Sequence, residues 1–427
     1  MPERRFSVTP YRALLFFATV MGLTQILLLV DANFSRAKQF QESDYIMTFY
    51  VAGHLVAADE ESQLYPATDA TNFIGASFDR AAHALLDNLP EKTTAIYMYS
   101  PLLAWLFAPL SYVGPNLSLL IWHVLSVFAL AISCHLLARS VKINFSESLF
   151  LCALFGPLFL TLWSGQLGLV FGLLPLCTGY LLLLHERHLL AGIVWSLLLL
   201  KPQYLPAVAF VALIFVLLAR FQLALGLAIG TAIFVGANLL IFSPTLVKQW
   251  LVSHRLSDTL FTHAQYGIPT HLITSLPADI LLLLPAAMRV TVKWPVYLAA
   301  MLLWLLGLYC CWRVNRTSWR EQSKISLTLA VGCLLSSIAL PHLLYYDLCV
   351  LIPAGYLLAT TNDLAPPVVG VQSVARLAWT AISLYLPVFL FLKSHAALAL
   401  GLESILLLSL IWLLIQIKRA IRTANAL

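Results

Sequence analysis

Short clusters of polar residues interrupt the long apolar runs of this sequence, and a polar side chain among apolar residues usually has a partner or a task. Asp44 leads the first cluster, Gln166 lies in the second, and Lys201 lies in the third. The fourth cluster contains His342 and Asp347. Together they supply carboxylate, amide, ammonium and imidazole groups, which acid–base chemistry and anion binding require. The other members are Tyr45, Phe49, Tyr50, His54, Trp163, Ser164, Gly165, Pro202, Gln203, Pro341, Tyr345 and Tyr346.

Asp44 immediately precedes the stretch YIMTFYVAGHLV (45–56), which predicts a helix lying along the membrane surface. Two interpretations of Asp44 remain open on spacing alone. Its carboxylate is either a reactive group at the outer membrane surface or, like Ser43, a cap of that helix, because serine and aspartate are both common N-caps.

Gln166 and Lys201 each interrupt an apolar stretch. Gln166 ends the segment Trp163–Gln166, which is either a polar break that serves a site or an ordinary tight turn. Lys201 is followed by Pro202, which prevents a smooth helix across residues 189–218. An ammonium group at this break suits an anion, and a lysine that snorkels to the interface has the same sequence signature.

His342 and Tyr346 are four residues apart and share a face if a helix begins that early. Asp347 is either a member of a polar site or a favourable partner of a helix dipole. The predicted topology brings all four clusters toward one face of the membrane, and this coincidence indicates a shared site.

Sugar transfer from a phosphate carried on a membrane lipid fits this set of groups. The phosphate is an acidic leaving group and needs cations or hydrogen-bond donors, which Lys201, His342 or Gln166 can supply. The acceptor hydroxyl needs a base, and one carboxylate on an outer loop is sufficient. Displacement in one step would invert the anomeric centre.

The composition requires membrane helices to position these clusters. Of the 427 residues, 61% are hydrophobic and 10% are charged, whereas soluble domains carry roughly 25% charged residues. We predict an all-α integral membrane protein, a single helical bundle over residues 1–427 with about 12 spans of about 20 residues each. The predicted spans lie near 14–30, 117–138, 146–163, 166–184, 189–200, 202–219, 222–242, 294–312, 324–340, 345–360, 374–392 and 396–417.

The positions of the basic residues indicate how the chain is oriented in the membrane. Arginines precede the first predicted span, and the positive-inside rule then places both termini in the cytoplasm. A cleaved signal peptide is the competing interpretation, but the apolar run exceeds the usual h-region of about 7–15 residues. Residues 31–98 hold more than half of the 19 acidic residues and are predicted to form the first extracytoplasmic loop, with the bundle over 99–427. Two proline-interrupted pieces, 101–113 and 272–285, are predicted to be interfacial or re-entrant.

Other functions lack support in the sequence. It contains no GxxxxGK[ST] loop and no HExxH motif, and Asp59–Glu61 is predicted to be a solvated turn, so we expect neither nucleotide hydrolysis nor a bound metal. The 25 basic residues are scattered between apolar runs, which is typical of topology determinants and not of nucleic-acid binding. The seven cysteines have no CxxC spacing and are predicted to pack in the core. Gly168-xxx-Gly172 and Gly226-xxx-Gly230 predict close helix packing.

The order of several short motifs resembles that of the bacterial glycosyltransferase family 87, integral membrane enzymes of the GT-C superfamily. The similarity spans nearly the whole chain, and the specific feature is the order of the motifs. They are Asp44-Tyr45 with Tyr50-Val51-Ala52-Gly53, Leu64-Tyr65, Tyr97-Met98-Tyr99-Ser100-Pro101, Gly165-Gln166, Lys201-Pro202-Gln203, and Pro341-His342 followed by Tyr346-Asp347-Leu348.

The resemblance implies a multi-pass glycosyltransferase of a bacterial inner membrane that uses a polyprenyl-phosphate sugar, typically mannose. Asp44 then corresponds to the catalytic base, His342 lies near the reacting centre, and Lys201 is a candidate for the phosphate of the carrier. The expected partners are the lipid-linked donor, a glycan or glycolipid acceptor on the periplasmic or external side, and membrane lipids, with no metal or other cofactor. Further substrate-binding candidates are Gln166, Gln203, Tyr50, Tyr99, Tyr346 and Asp347.

Two rival functions remain. A secondary transporter or lipid flippase with about 12 helices would show internal repeats and charges at the membrane midplane. The sequence has no visible repeat, and Glu403 is the residue that would suit a transporter, unless it packs against an Arg or Lys of a neighbouring helix. An inactive scaffold of the same fold that binds lipid carriers is the second rival.

Overall fold

The computed structural model describes residues 43–141, 143–263, 272–341, 343–360, 371–392 and 395–426. The first predicted span, with its signal-peptide alternative, and His342 lie outside the described residues. Within these ranges all regular elements are helices, and the β pairing consists of one bridge between Ile273 and Leu344. The predicted all-α class is confirmed.

The helices follow one another in chain order with mostly short connections. Several contain π or 3₁₀ turns at one end, and a 3₁₀ helix, Tyr345–Val350, leads directly into α15. The helices are α1 (Tyr45–Ala57), α2 (Ser77–Leu85), α3 (Pro101–Ser111), α4 (Pro115–Val141), α5 (Phe145–Ala153), α6 (Gly156–Trp163), α7 (Gly168–Leu184), α8 (His188–Leu200), α9 (Pro202–Leu217), α10 (Gln222–Ile241), α11 (Pro244–His263), α12 (Leu276–Leu283), α13 (Ala286–Asn315), α14 (Glu321–Ala339), α15 (Leu351–Thr360), α16 (Val371–Leu392) and α17 (His395–Ala426).

Five helices of the described chain are long and apolar enough to cross a membrane: α4, α10, α13, α14 and α17. The pair α5 and α6, bent by 77°, makes a sixth if it is counted as one broken span. The predicted spans at 166–184, 189–200, 202–219 and 345–360 correspond to shorter apolar helices. Apolar membrane helices are thus confirmed, and the count of about 12 crossings stays a prediction.

The membrane helices differ in how much of each is buried, and this identifies α14 as central and α10 and α13 as peripheral. The apolar window of α14 is 89% buried, whereas those of α10 and α13 are 17% buried. Hydroxyl groups of the central helix are satisfied internally, since Thr328 donates to the carbonyl of Lys324 and Ser336 to that of Gly332. The exposed apolar faces of α10 and α13 are suited to lipid, which is as apolar as the side chains themselves.

Helix α1 confirms the predicted helix, and most of its residues are buried. Tyr45, Ile46 and Val51 are fully buried, because α3 packs closely along it. The approach is close at Gly53, where a Cβ atom would lie 2.6 Å from the carbonyl oxygen of Phe107. This segment is therefore a packed part of the protein, and its position along the membrane surface stays a prediction.

The predicted packing role of Gly168 and Gly172 is confirmed. Both glycines lie in the first turns of α7 and face the side chain of Tyr204 from α9. A Cβ atom on Gly172 would lie 2.8 Å from Cζ of that ring. The contact fixes the first turn of α9 at Tyr204, three residues after Lys201.

The predicted close packing around Gly226 is also confirmed, and it joins α8 to α10. A Cβ atom on Gly226 would collide with the carbonyl oxygen of Leu189, and one on Gly192 would collide with that of Leu223. Backbone faces backbone at this crossing, so neither helix can move aside without losing its contacts.

Replacement of Gly226 by Val is expected to lower the free energy of unfolding by about 1–3 kcal/mol, because overpacking of a tight contact costs that amount. Gly236→Val in the same helix is the matched control, since a Cβ atom there meets nothing within 4 Å. Thermal unfolding in detergent measures both variants. An equal decrease of Tm in the two would show that the crossing is not tightly packed.

Candidate active site

Ser43, not Asp44, caps helix α1. The Oγ atom of Ser43 accepts a hydrogen bond from the backbone N–H of Ile46 at 3.3 Å, whereas the Asp44 side chain makes no capping bond. The capping interpretation of Asp44 is therefore wrong. Its carboxylate is free to interact with residues that are distant in the sequence.

The turn at residues 164–166 docks against the first residue of α1. Gly165 adopts φ +68°, and a Cβ atom there would lie 2.5 Å from Cβ of Tyr45. The backbone N–H of Tyr45 donates to the carbonyl of Ser164 at 3.0 Å, and the indole N–H of Trp122 donates to the carbonyl of Gly165 at 2.9 Å. These bonds place Gln166 beside Asp44.

Gln166 connects a carboxylate to an ammonium group. Its Nε2 donates to Oδ2 of Asp44 at 2.7 Å, and its Oε1 accepts from Nζ of Lys201 at 3.2 Å. The two charges fix the orientation of the amide, because only nitrogen donates and only oxygen accepts. Gln166 is thus more than a turn residue, although it also follows a tight turn.

Lys201 lies at the break between α8 and α9, with extended backbone angles of φ −135° and ψ 74°. Its side chain is buried in protein, and its Nζ contacts Oδ1 of Asp347 at 2.7 Å. The snorkelling interpretation is therefore wrong. Tyr99 and Tyr346 complete its surroundings, with ring centroids at 5.9 and 5.2 Å from Nζ, and the Tyr99 hydroxyl accepts from Nζ at 3.5 Å.

Asp347 uses its two oxygens for different purposes. Oδ2 accepts from the backbone N–H of Leu344 at 3.2 Å and so caps the 3₁₀ helix Tyr345–Val350, whereas Oδ1 holds Lys201. Asp347 thus lies at a helix N-terminus, as a dipole partner would, and also contacts Lys201, while its role in a substrate site stays a prediction. The helix is tied to α6 by Thr161, whose hydroxyl donates to the carbonyl of Tyr346 at 3.0 Å.

Asp44, Gln166, Lys201 and Asp347 therefore form a continuous polar chain from four separate segments. Lys201, Asp347 and Gln166 are 0%, 2% and 4% exposed, whereas Asp44 is half-buried and forms the accessible end. Burial raises the pKa of Asp44, and the hydrogen bond from Gln166 and the charge of Lys201 act in the opposite direction. The Asp44 carboxylate is thus held in place, and its pKa lies above that of an ordinary aspartate.

Two other predicted site residues, Tyr50 and Gln203, are not part of this chain. The Tyr50 hydroxyl donates to the carbonyl of Val113 at 3.2 Å and so joins α1 to the end of α3. Gln203 is half-buried, and its Oε1 has no hydrogen-bond partner in the described part of the protein. His342 lies outside the described residues.

Ser43 was a predicted cap candidate, whereas Trp122 and Thr161, which also hold the chain in place, were not predicted from the sequence. A hydrogen bond from Trp122 could have been predicted, because a buried indole N–H normally donates to an acceptor. Its acceptor, the carbonyl of Gly165, depends on the tertiary fold.

Lys201→Met is expected to destabilise the protein by about 3–5 kcal/mol, because it leaves the buried carboxylate of Asp347 without its cation. The double variant Lys201→Met/Asp347→Leu should recover most of this loss, since no buried charge remains unpaired. Thermal unfolding in detergent tests both. A double variant no more stable than the single one would contradict a direct pairing of the two charges.

Comparison with known proteins supports an enzyme. The model of Glycosyltransferase family 87 matches residues 97–341, which is more than half of the chain. Comparison with curated proteins and with solved structures gives no significant match. The matched region contains Tyr99, Gln166 and Lys201, while Asp44 precedes it and Asp347 follows it. The chain belongs to glycosyltransferase family 87 and is a membrane glycosyltransferase.

Proposed function

We propose that the protein transfers a sugar from a polyprenyl phosphate to an acceptor hydroxyl, with Asp44 as the general base. The polar chain carries this proposal, because it holds the carboxylate of Asp44, its half-buried member, against Gln166 at 2.7 Å. A carboxylate whose pKa is raised by burial is a better proton acceptor than one in water. Membership of the family supplies the reaction class.

The proposed reaction is a single displacement. Asp44 accepts the proton of the acceptor hydroxyl while the hydroxyl oxygen forms a bond to the anomeric carbon. The bond between that carbon and the phosphate oxygen breaks, and its electron pair leaves with the lipid phosphate. The configuration at the anomeric carbon is inverted, and Asp44 later releases its proton to water.

Lys201 has a positioning role in this proposal. Its charge is already paired with Asp347, and its Nζ also holds Oε1 of Gln166. It thereby orients the amide that contacts Asp44. Contact between Lys201 and the donor phosphate, as the resemblance suggests, requires the Asp347 contact to open. His342 remains proposed near the reacting centre on the resemblance alone.

The substrates and orientation complete the proposal. We propose mannose as the sugar, a glycan or glycolipid as the acceptor, and a bacterial inner membrane with the site on the periplasmic side and about 12 crossings. The exposed apolar faces of α10 and α13 favour a membrane location. Residues 43–98, next to Asp44, contain Arg80 and Lys92 as their only Arg and Lys residues, and this scarcity of Lys and Arg favours an outer position for this end of the bundle.

Asp44→Asn is expected to reduce transfer of a labelled sugar from a polyprenyl phosphate by about 10²–10⁴-fold, the usual contribution of a general base. The amide keeps the size of the side chain but accepts no proton. Glu60→Gln, an exposed acid in the same segment, is the matched control and should retain activity. Tm of each variant shows whether the fold is intact.

Equal transfer by the protein and its Asp44→Asn variant would remove Asp44 from the mechanism. Solute uptake into proteoliposomes without any transfer would favour the transporter function instead.

The pH dependence of kcat/KM is expected to have its acid limb above pH 3.8, the ordinary pKa of aspartate, because Asp44 must be ionised and burial raises its pKa. Gln166→Leu removes a hydrogen bond that stabilises the carboxylate, so the pKa of Asp44 rises and the limb moves to higher pH. Gln63→Leu, which breaks an exposed bond to Glu60, is the control and should leave the profile unchanged. An unshifted limb in Gln166→Leu would be inconsistent with Asp44 as the base.

A further inference from the structure

A second pair of acidic residues is buried away from the polar chain. Glu403 in α17 is 1% exposed, and Asp279 in α12 is 4% exposed. The carboxyl group of Glu403 faces that of Asp279, and neither forms an ion pair with a basic residue of the described chain. The predicted Arg or Lys neighbour of Glu403 is therefore wrong, since its neighbour is another acid.

The two carboxyl groups lack ordinary hydrogen-bond donors. Both Oε atoms of Glu403 and Oδ2 of Asp279 have no N–H or O–H donor among the described residues. Two buried carboxylates side by side cannot both be charged without a large cost. A proton between them removes one charge and also supplies the missing hydrogen bond.

The titratable groups around the pair are consistent with a proton shared between Asp279 and Glu403. Tyr385 of α16 is the phenol that faces both acids. On α13, Arg289 donates to the carbonyls of Leu282 and Leu284, and Lys293 lies 5.6 Å from the ring of Tyr297.

The titratable groups of the remaining neighbouring helices contact residues other than Asp279 and Glu403. On α11, His254 packs on Trp250 with ring centroids 5.8 Å apart. On α14, Lys324 contacts Glu321 at 3.6 Å, while the part of α14 beside α12 is apolar, at Ile338 and Ala339.

The chain preceding α12 connects Asp279 to the loop before Asp347. The backbone N–H of Asp279 donates to the carbonyl of Ser275 at 2.8 Å, and the Ser275 hydroxyl donates to the carbonyl of Leu340. The backbone N–H of Thr274 donates to the carbonyl of Leu343 at 3.0 Å. Movement of α12 would therefore move Leu340 and Leu343.

Tyr385 provides a second connection from the acidic pair to the same loop. Its ring lies 5.1 Å from the ring of Tyr345, the first residue of the 3₁₀ helix that holds Asp347. The Tyr345 hydroxyl in turn donates to the carbonyl of Ile382 in α16. Both α12 and α16 thus contact the segment that supports the ion pair with Lys201.

We propose that Asp279 and Glu403 share one proton. This contact is a positioning element that holds residues 343–347 in the arrangement that transfer requires. Through Asp347 it also holds the polar chain in place. The link to transfer rests on the proposed function, whereas the shared proton does not. Loss of the proton would place two negative charges in contact, separate α12 from α17, and loosen the loop before Asp347.

The direction of the pH effect follows from burial, which raises the pKa of Asp279. The folded protein then binds a proton more tightly than the unfolded chain. This stabilisation is complete below the unfolded-state pKa and is lost as the pH rises through the folded-state pKa. We therefore expect Tm to fall as the pH rises.

Glu403→Gln tests the shared proton without any substrate. The amide of Gln donates N–H to Asp279 at every pH, so this variant should lose the pH-dependent decrease of Tm and the infrared band of the shared protonated carboxyl group. Asp279→Asn should do the same if Glu403→Gln does not fold. Glu147→Gln, at the start of α5, is the matched control and should keep both. A pH dependence of Tm identical in the protein and in the folded variant would overturn the shared proton.

Activity tests the positioning role separately. The protein should lose kcat on the alkaline side over the pH range in which Tm decreases, and Glu403→Gln should retain kcat there. If Tm behaves as expected but the alkaline decrease of kcat is the same in Glu403→Gln as in the unchanged protein, the positioning role is overturned and the shared proton is not. If no variant transfers sugar at any pH, the proposed function fails, while Tm and the infrared band still decide on the proton.

Discussion

The buried ammonium group of Lys201 is the interaction on which the rest of the candidate site depends. It is fully buried, so its charge must be matched within the protein, and Asp347 and Gln166 provide the match. Because Gln166 has one donor side and one acceptor side, holding its oxygen turns its nitrogen toward Asp44. A single charge inside the bundle thus determines the orientation of a carboxylate at its edge.

Close backbone contacts bring the segments of this site together. Gly165 allows the turn before Gln166 to touch Tyr45, and Gly172 allows Tyr204 to seat beside the break that holds Lys201. In an apolar environment packing has little help from the hydrophobic effect, so such contacts and internal hydrogen bonds must hold the helices together. The polar chain adds charge pairing to this framework, where separation of the partners would be costly.

The sequence allowed prediction of the helical class and of most members of the candidate site. Composition was sufficient for the class, and Asp44, Gln166, Lys201 and Asp347 were conspicuous as polar residues among apolar ones. Their contacts were not predictable, because Asp44 and Gln166 are 122 residues apart and meet through a turn whose geometry depends on tertiary packing. The burial of α1 was missed for a similar reason, since the approach of α3 at Gly53 leaves little trace in local periodicity. Asp279 was also missed, because its significance depends on its contact with Glu403.

Ser43 and Asp44 have different roles at the start of α1, and this difference has a consequence for substitution of Ser43. The Ser43 hydroxyl accepts from the amide of Ile46, the second residue of α1, and the adjacent acid is left available. Without that hydroxyl, the amide of Ile46 and the amide of Gln166 would compete for one carboxylate. The Asp44 carboxylate would then also accept from the backbone of α1, and this added hydrogen bond would lower its basicity.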